Sequence, residues 1–351
     1  MKISVAMCTY NGGQFIGRQL DSIFRQSRLP DEIVVCDDRS GDDTLTILEQ
    51  YRNRGVDLRI HQNEVNLGFV ENFRKCVSLC TGDVIFLADQ DDIWKPTKVA
   101  ELCDLMEANP DILSVVTNFH LIDGEDNRLS SKTEGDSPFF DRKKHRIDWK
   151  KDRLYKVKLK AVFCKNIGPG CTQAIRREII PDFLSCTLPD PHDYVLNRAA
   201  ALKNGLYYYD KPLTEYRVHG NQTIGIPTFT AAKLRGDWMA MAEEFINLPR
   251  EFIYHVFLPD SQKVAPPPQL DDTYLFAYYD RISILPELQS EYDQWKKMVI
   301  NRAMLYTGCS AKWKHLIIQG YYNQYFGFGY GFVERLRLFF WDLAMFLRQK
   351  K

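Results

Sequence analysis

Short apolar runs alternate with amphipathic stretches through the first 120 residues, and this alternation restricts the fold more than any other feature. Ile3–Met7, Glu32–Cys36, Leu58–His61, Val84–Leu87 and Leu113–Thr117 read as buried strands. Between them, Gln14–Gln26 places Phe15, Ile16, Leu20, Ile23 and Phe24 at a helical period. Gly41-Asp42-Asp43-Thr44 opens a second helix with acidic residues in its first turn. Glu71–Leu79 and Pro96–Ala108 supply two more. Alternation of this kind predicts an α/β fold with a mainly parallel, Rossmann-like sheet flanked by helices. Ligands of such sheets bind beyond the carboxyl ends of the strands. Three polar clusters fall there: Thr9-Tyr10-Asn11, Asp37-Asp38 and Asp89-Gln90-Asp91-Asp92.

Further along, Gly168–Ile175 and Tyr207–Tyr209 read as strands and His192–Lys203 as a helix. From about residue 226 the pattern changes to longer helices, Ala231–Ile246, Glu287–Leu305 and Gly331–Arg348. The expected organisation is a catalytic domain over 1–225, with a nucleotide half to about residue 120 and an acceptor half over 121–225, then a helical region over 226–351. A chain of 351 residues that is 45% hydrophobic has the material for such a core. Lys plus Arg and Asp plus Glu number 46 each, and this balance argues against a general nucleic-acid binder. The nine Cys show no paired spacing, which fits reduced thiols better than a disulfide framework. The N-terminus has no signal-peptide pattern and no apolar run is long enough to span a bilayer, so a cytoplasmic protein is expected.

Three carboxylates at the end of an apolar strand repel one another and raise one another's pKa. A divalent cation relieves the repulsion, and hard oxygen ligands suit Mn²⁺ or Mg²⁺. Asp92 alone also reads as the cap of the helix that follows. Asp37-Asp38 reads either as a contact to a base or ribose, or as a turn. Asp193, beside His192 before a helix, reads as a general base or as another cap. In Tyr216-Arg217-Val218-His219, strand alternation places Arg217 and His219 on one face. Arg suits a diphosphate and His a metal or phosphate, with an exposed edge pair as the plainer reading.

The order of these motifs resembles the inverting family-2 glycosyltransferases of GT-A fold. The matching stretches are Ser4–Gly12, Glu32–Thr44, Asn66-Leu67-Gly68, Asp89–Trp94 and Tyr216–His219, within about residues 1–225. The resemblance implies that Thr9, Tyr10 and Asn11 line the base and ribose of a nucleotide-sugar donor and that Asp38 contacts the base. It places Asn66 and Gly68 in a nucleotide-side loop, Asp89 on the ribose, Asp91 on the metal, and Asp193 as catalytic base. His219 and Arg217 would complete the metal and diphosphate surroundings. His192 departs from the acid more usual before the base. His-Asp and the Asp-Gln-Asp-Asp-Ile-Trp wording shade the donor toward dTDP-rhamnose, with a UDP-hexose as the other expectation.

The acceptor expected from the resemblance is a glycan or a lipid-linked saccharide, in bacterial surface polysaccharide or lipopolysaccharide synthesis. The alternatives are a non-catalytic nucleotide-sugar-binding module and a nucleotidyltransferase. The latter would favour a basic glycine-rich loop, yet no Lys or Arg occurs between Thr9 and Arg18. Ten Lys or Arg against two Asp over 142–160 read as a solvated loop or edge hairpin, or as a surface for acidic acceptors or anionic lipid heads, and an amphipathic basic helix over 331–351 suits a membrane interface. The same helix equally suits docking on the catalytic domain or on a second copy of the chain, a homodimer.

Overall fold

The computed structural model describes residues 1–129, 153–164, 166–186, 191–219 and 281–296, without 283 and 295. The first half runs β1 (Ile3–Thr9), α1 (Ile16–Phe24), β2 (Glu32–Asp37), α2 (Thr44–Glu49), β3 (Asp57–Gln62), α3 (Gly68–Leu79) and β4 (Val84–Ala88). Then follow β5 (Ile93–Trp94), α4 (Lys98–Ala108), β6 (Ser114–Ile122), β7 (Leu154–Lys156), α5 (Leu159–Cys164), β8 (Gln173–Arg176), α6 (Ile180–Ser185), α7 (His192–Leu202) and β9 (Leu206–Arg217).

All nine strands join one sheet in the order β3-β2-β1-β4-β8-β6-β9-β5, with β7 also on β9. The β3-β2-β1-β4 half is parallel, and β2 and β4 are buried along their whole length. Continuous apolar strands arise because helices cover both faces. One face packs α3, α6 and α7 around Val34, Leu87, Phe183 and Leu196. The other packs α1 and α4 around Val35, Leu20, Phe86 and Leu102. Met7 pairs with Val35 on one side and Ala88 on the other, so Tyr10, Asp38 and Asp89 leave the sheet at the same edge.

The second half is mixed. β8 is antiparallel to both β4 and β6, while β9 is parallel to β6. The strand expected at Tyr207–Tyr209 runs on to Arg217. Pro212 falls where the β6–β9 register shifts, opposite Asn118, which is where a strand tolerates a residue with no N–H. The strand expected at Gly168–Ile175 is instead a single 3-10 turn, Gly170–Thr172, followed by β8. Asp92 is no helix cap: α4 begins at Lys98 with Thr97 in the cap position.

Ile282 and Tyr292 are buried against the α6–α7 face, and 286–294 is helical, so this part of the expected Glu287–Leu305 helix docks on the core. Ala231–Ile246, Gly331–Arg348 and residues 142–152 of the basic stretch lie outside the described residues. Among the described residues no helix is long and apolar enough to cross a membrane. Seven of the described cysteines are free thiols, and all but Cys8 are buried.

Candidate active site

The loops after β1 and β2 are stitched together, which decides what their side chains have left to offer. Thr9 is buried, and its Oγ1 donates to Asp37 Oδ1 at 2.8 Å. Asn11, at φ 49°, accepts the Gly41 N–H on Oδ1 at 2.8 Å and donates its own N–H to Ser40 Oγ at 2.9 Å. Tyr10 is different. Its ring is exposed, while its backbone N–H and C=O are both taken by the Gln90 amide at 2.8 and 3.0 Å. Gly12 is required beneath that strap, because a Cβ there would meet Gln90 Oε1 at 2.2 Å.

Asp38 is buried and organises the loop before α3. Its Oδ1 accepts from Asn63 Nδ2 at 2.8 Å and the Leu67 N–H at 2.7 Å, and its Oδ2 accepts the Gly68 N–H at 2.9 Å. Asn66 donates to the Asp38 carbonyl at 3.3 Å. Gly68 holds φ +77°, a left-handed conformation that glycine adopts without cost. The structure therefore brings Asp38, Asn66 and Gly68 together as one framework.

The end of β4 carries the charge. Ligand-type atoms of Asp89, Asp92 and Cys171 lie within 4.8 Å of one another. Burial, followed by repulsion from Asp92 and Asp91, pushes the Asp89 carboxyl well above the usual range. Burial also pushes Asp92 up, to about 7, with the Asp91 charge adding to it. One oxygen of Asp92 accepts the Arg217 N–H at 3.0 Å, and the carboxylate is buried beside the Cys171 thiol. Asp91 Oδ2 lies 2.9 Å from His219 Nε2, and both side chains are partly open. Two ligands at right angles about 2.1 Å from a Mg²⁺-sized ion would stand about 3 Å apart, so this pair fits a hard divalent cation.

Arg217 turns inward. It is fully buried, donates from Nε to the Asp91 carbonyl and from Nη1 to the Asp123 carbonyl, each at 2.6 Å, and pairs with Asp126 at 2.5 Å. Its guanidinium lies 4.6 Å over the Phe15 ring, which in turn meets the His219 ring at 4.8 Å. Arg217 and His219 do share one face of the chain, as alternation requires, while Tyr216 turns to Phe119.

Asp193 sits in the first turn of α7, buried, with Pro191 rather than either acid-side residue in the cap position. Its Oδ1 accepts the Tyr194 N–H at 3.0 Å and its Oδ2 accepts from Asn166 Nδ2 at 2.5 Å. Burial pushes it up to about 6 against the pull of those two bonds. Its charge is one of those that raise Asp89, so Asp193 and the acidic cluster share one field. His192 stacks on Phe73 at 3.8 Å, and burial drops it to about 3, which keeps it neutral.

Four residues of the site had no role of their own in the sequence. Gln90 stands inside the Asp89–Asp92 cluster, where only the carboxylates were read as ligands, and Cys171 stands in a turn segment that matches no ligand spacing. Lys98 lies in a helix where a lysine ordinarily faces water, yet it is fully buried, donating to the Cys171 carbonyl at 2.6 Å and Thr214 Oγ1 at 3.0 Å. Asn166 precedes a Gly-Pro-Gly turn that signals only a loop.

The glycosyl transferase family 2 model matches residues 4–180, half of the chain. The chain belongs to glycosyl transferase family 2. It is a glycosyltransferase of GT-A fold, with the strand-end clusters of β1, β2 and β4 inside the matched region and Asp193, Arg217 and His219 beyond it. The dTDP-rhamnosyl transferase RfbG of Shigella flexneri is 30% identical over 244 residues, 65% of this glycosyltransferase and 77% of RfbG. A Haemophilus influenzae glycosyltransferase is 26% identical over 229 residues, 64% of this chain and 68% of its own. Staphylococcus aureus TarS 1-349, solved with UDP-GlcNAc, superposes with a TM-score of 0.51 at 15% identity, covering 100% of this chain and 91% of TarS 1-349. GalNAc-T7, solved with UDP, GalNAc and Mn²⁺, gives 0.51 at 15% identity over 81% of this chain and 55% of its own. At these identities the two structures speak for the fold.

Proposed function

We propose that this family-2 enzyme transfers a sugar, with inversion, from a nucleoside diphosphate sugar to a glycan or lipid-linked acceptor in bacterial surface polysaccharide synthesis. The observation that carries the reading is the convergence of Asp89, Asp91 and His219 at one strand end, with the buried carboxylate of Asp193 in the same field. RfbG is named a dTDP-rhamnosyl transferase and TarS was solved with UDP-GlcNAc, which supports dTDP-rhamnose or a UDP-hexose as donor.

The exposed Tyr10 ring offers a face for the base, and the Asp38–Asn66–Gly68 framework shapes the pocket beside it. Asp89 faces the ribose. A Mn²⁺ or Mg²⁺ held by Asp91 and His219 would neutralise charge on the departing diphosphate. Arg217 holds the Asp91 backbone in place for that task. Asp193 removes the proton of the attacking acceptor hydroxyl, and at about 6 it is ionised at neutral pH yet close enough to accept a proton. One displacement inverts the anomeric centre and needs no covalent nucleophile. The basic stretch 142–160 and the amphipathic 331–351 support peripheral contact with the cytoplasmic face of the membrane, or a homodimer.

The test is thermal stabilisation by dTDP, UDP and their sugars with and without Mn²⁺. A nucleotide at a hundredfold its Kd adds about 2.7 kcal/mol. The expected result is metal-dependent stabilisation that disappears in Asp91→Ala. No stabilisation by any nucleoside diphosphate in Mn²⁺ would overturn the donor site, and transfer undiminished in Asp193→Asn would overturn the base.

A further inference from the structure

We propose that Asn166 is the positioning residue of Asp193: it fixes the rotation of the carboxylate and favours its ionised form. The inference rests on the reading of Asp193 as the base. Asn166 is buried in the loop between α5 and the 3-10 turn. Its Oδ1 accepts two hydrogen bonds, from the Ile167 N–H and from Asn197 Nδ2, each at 2.9 Å. The Ile167 N–H can only donate, and so can Nδ2 of Asn197, so the oxygen of Asn166 must face them. That leaves its NH₂ group no direction but toward Asp193 Oδ2, at 2.5 Å. Asn197 is fixed in the same way. Its Oδ1 accepts from Gln173 Nε2 at 3.0 Å, and Gln173 donates also to Ser114 Oγ at 2.8 Å.

A line of polar side chains therefore runs from the sheet, at β6 and β8, through α7 to the carboxylate. Each amide in it presents its nitrogen toward the next acceptor, so the orientation of Asp193 is set by the sheet rather than by the first turn of α7 alone. Amides do not accept or release protons near neutral pH. The line orients Asp193 without draining it, and a proton taken from the acceptor stays on the carboxylate until it leaves through the open side of the site. Asn166 Nδ2 and the Tyr194 N–H bond different Asp193 oxygens, and a carboxylate has about four lone-pair sites, so acceptor capacity remains for an incoming hydroxyl.

Among the described residues, the charges acting on Asp193 are few. Asp89 faces it from the end of β4, and Arg198 lies along α7. The neighbouring His192 is neutral. On α3, Arg74 is held by the Phe183 carbonyl and by Glu71. On α6, Asp182 pairs with Lys203, and on β9 Asp210 accepts from Asn118. The 3-10 turn before α6 carries Arg177, bonded to the Gly82 and Cys80 carbonyls, and the exposed Glu178. Asn166 is the neutral donor that opposes burial directly.

Unfolding free energies of the full chain in Mn²⁺, measured from pH 4 to 9, test this without an acceptor. Folded Asp193 lies above the unfolded value, so relative to Asp193→Asn the wild type loses stability as pH rises from the unfolded range toward about 6. Loss of one hydrogen bond to the charged form raises that endpoint by about one unit. The expected result is that the decline extends upward by that amount when wild type and Asp193→Asn are compared in an Asn166→Ala background. Asn166→Ser serves if the alanine variant does not fold. An unmoved endpoint in either background overturns the proposal, since a merely structural Asn166 would lower stability equally at every pH. That result leaves the base itself standing, which only transfer by Asp193→Asn can remove.

Discussion

Replacing Arg217 separates two roles that its position in the sequence does not distinguish. As a diphosphate contact it would face the ligand and contribute little to the free protein. In the structure it is fully buried and joins the Asp91 carbonyl, the Asp123 carbonyl and Asp126. Arg217→Met keeps much of the volume and removes all three bonds. Removing one partner of a buried charge pair costs about 3–5 kcal/mol. Asp126 is 39% exposed on its side chain, so water screens that contact and about 3 kcal/mol is the working figure. For a domain of this size that lowers Tm by about 6–12 °C. Arg217→Lys, which keeps one charge but loses the planar fork, should fall roughly halfway between. Calorimetry or denaturant unfolding of the ligand-free protein reads the effect directly. Metal-dependent nucleotide binding should weaken as well, because Asp91 is no longer held. If Arg217→Met unfolds like the wild type and only nucleotide affinity falls, the clamp is wrong and the guanidinium belongs to the diphosphate.

Two further outcomes follow from the same geometry. Glu215, paired with Lys95 and His120, sits at about 2 because these partners outweigh its burial; its folded value is below the unfolded one, so its contribution is complete above about pH 4.5 and fades toward pH 2. Denaturation of Glu215→Gln should therefore show a shallower loss of stability than wild type between those values. Gly170→Ala places a Cβ 2.2 Å from His192 Nε2, and the ring cannot retreat because it is stacked on Phe73. Overpacking of this kind costs about 1–3 kcal/mol, and the displaced start of α7 should reduce kcat while leaving nucleotide binding intact. An unchanged kcat would show that α7 tolerates the shift.

The strands that carry the proposed donor side were legible because their signals are local. β4 is apolar throughout, β1 and β2 are apolar along their middles, and all three are almost wholly buried, so each reads as a strand without knowledge of its neighbours. The polar residues at their ends are then placed by topology alone. β9 was not legible as one continuous strand, although Tyr207–Tyr209 and the segment leading to Arg217 were each read as extended. Lys211, Pro212 and Glu215 break any simple alternation, and the strand exists because β6 lies alongside it. Arg217 and His219 could be assigned to one face, but nothing in their order says that the arginine turns inward to Asp91 while the histidine meets the carboxylate. Asn166 escaped for the same reason. Its partners are 27 and 31 residues away, and an asparagine before Gly-Pro-Gly looks like any other turn.

Charge around the acidic cluster is unequal on its two sides, and this bears on why the cluster can exist at all. On the inner side Lys98 is the compensating cation. Its amine is held 3.9 Å over the Trp94 ring and bonded to the Cys171 carbonyl and Thr214, so it cannot follow the carboxylates outward. Burial lowers it to about 7, which halves what it can offer near neutrality. Arg217 is close by, but its guanidinium is shared with two carbonyls and Asp126. The positive charge close by is less than the acidic cluster needs, and burial with mutual repulsion shifts Asp89 and Asp92 toward their protonated forms. On the outer side Asp89 and Asp91 remain partly open. A divalent cation arriving there would release those protons and complete the balance, so uptake of Mn²⁺ should be accompanied by proton release. Without a cation, burial and mutual repulsion favour the protonated forms of Asp89 and Asp92, and the site is arranged to receive charge from outside rather than to neutralise itself.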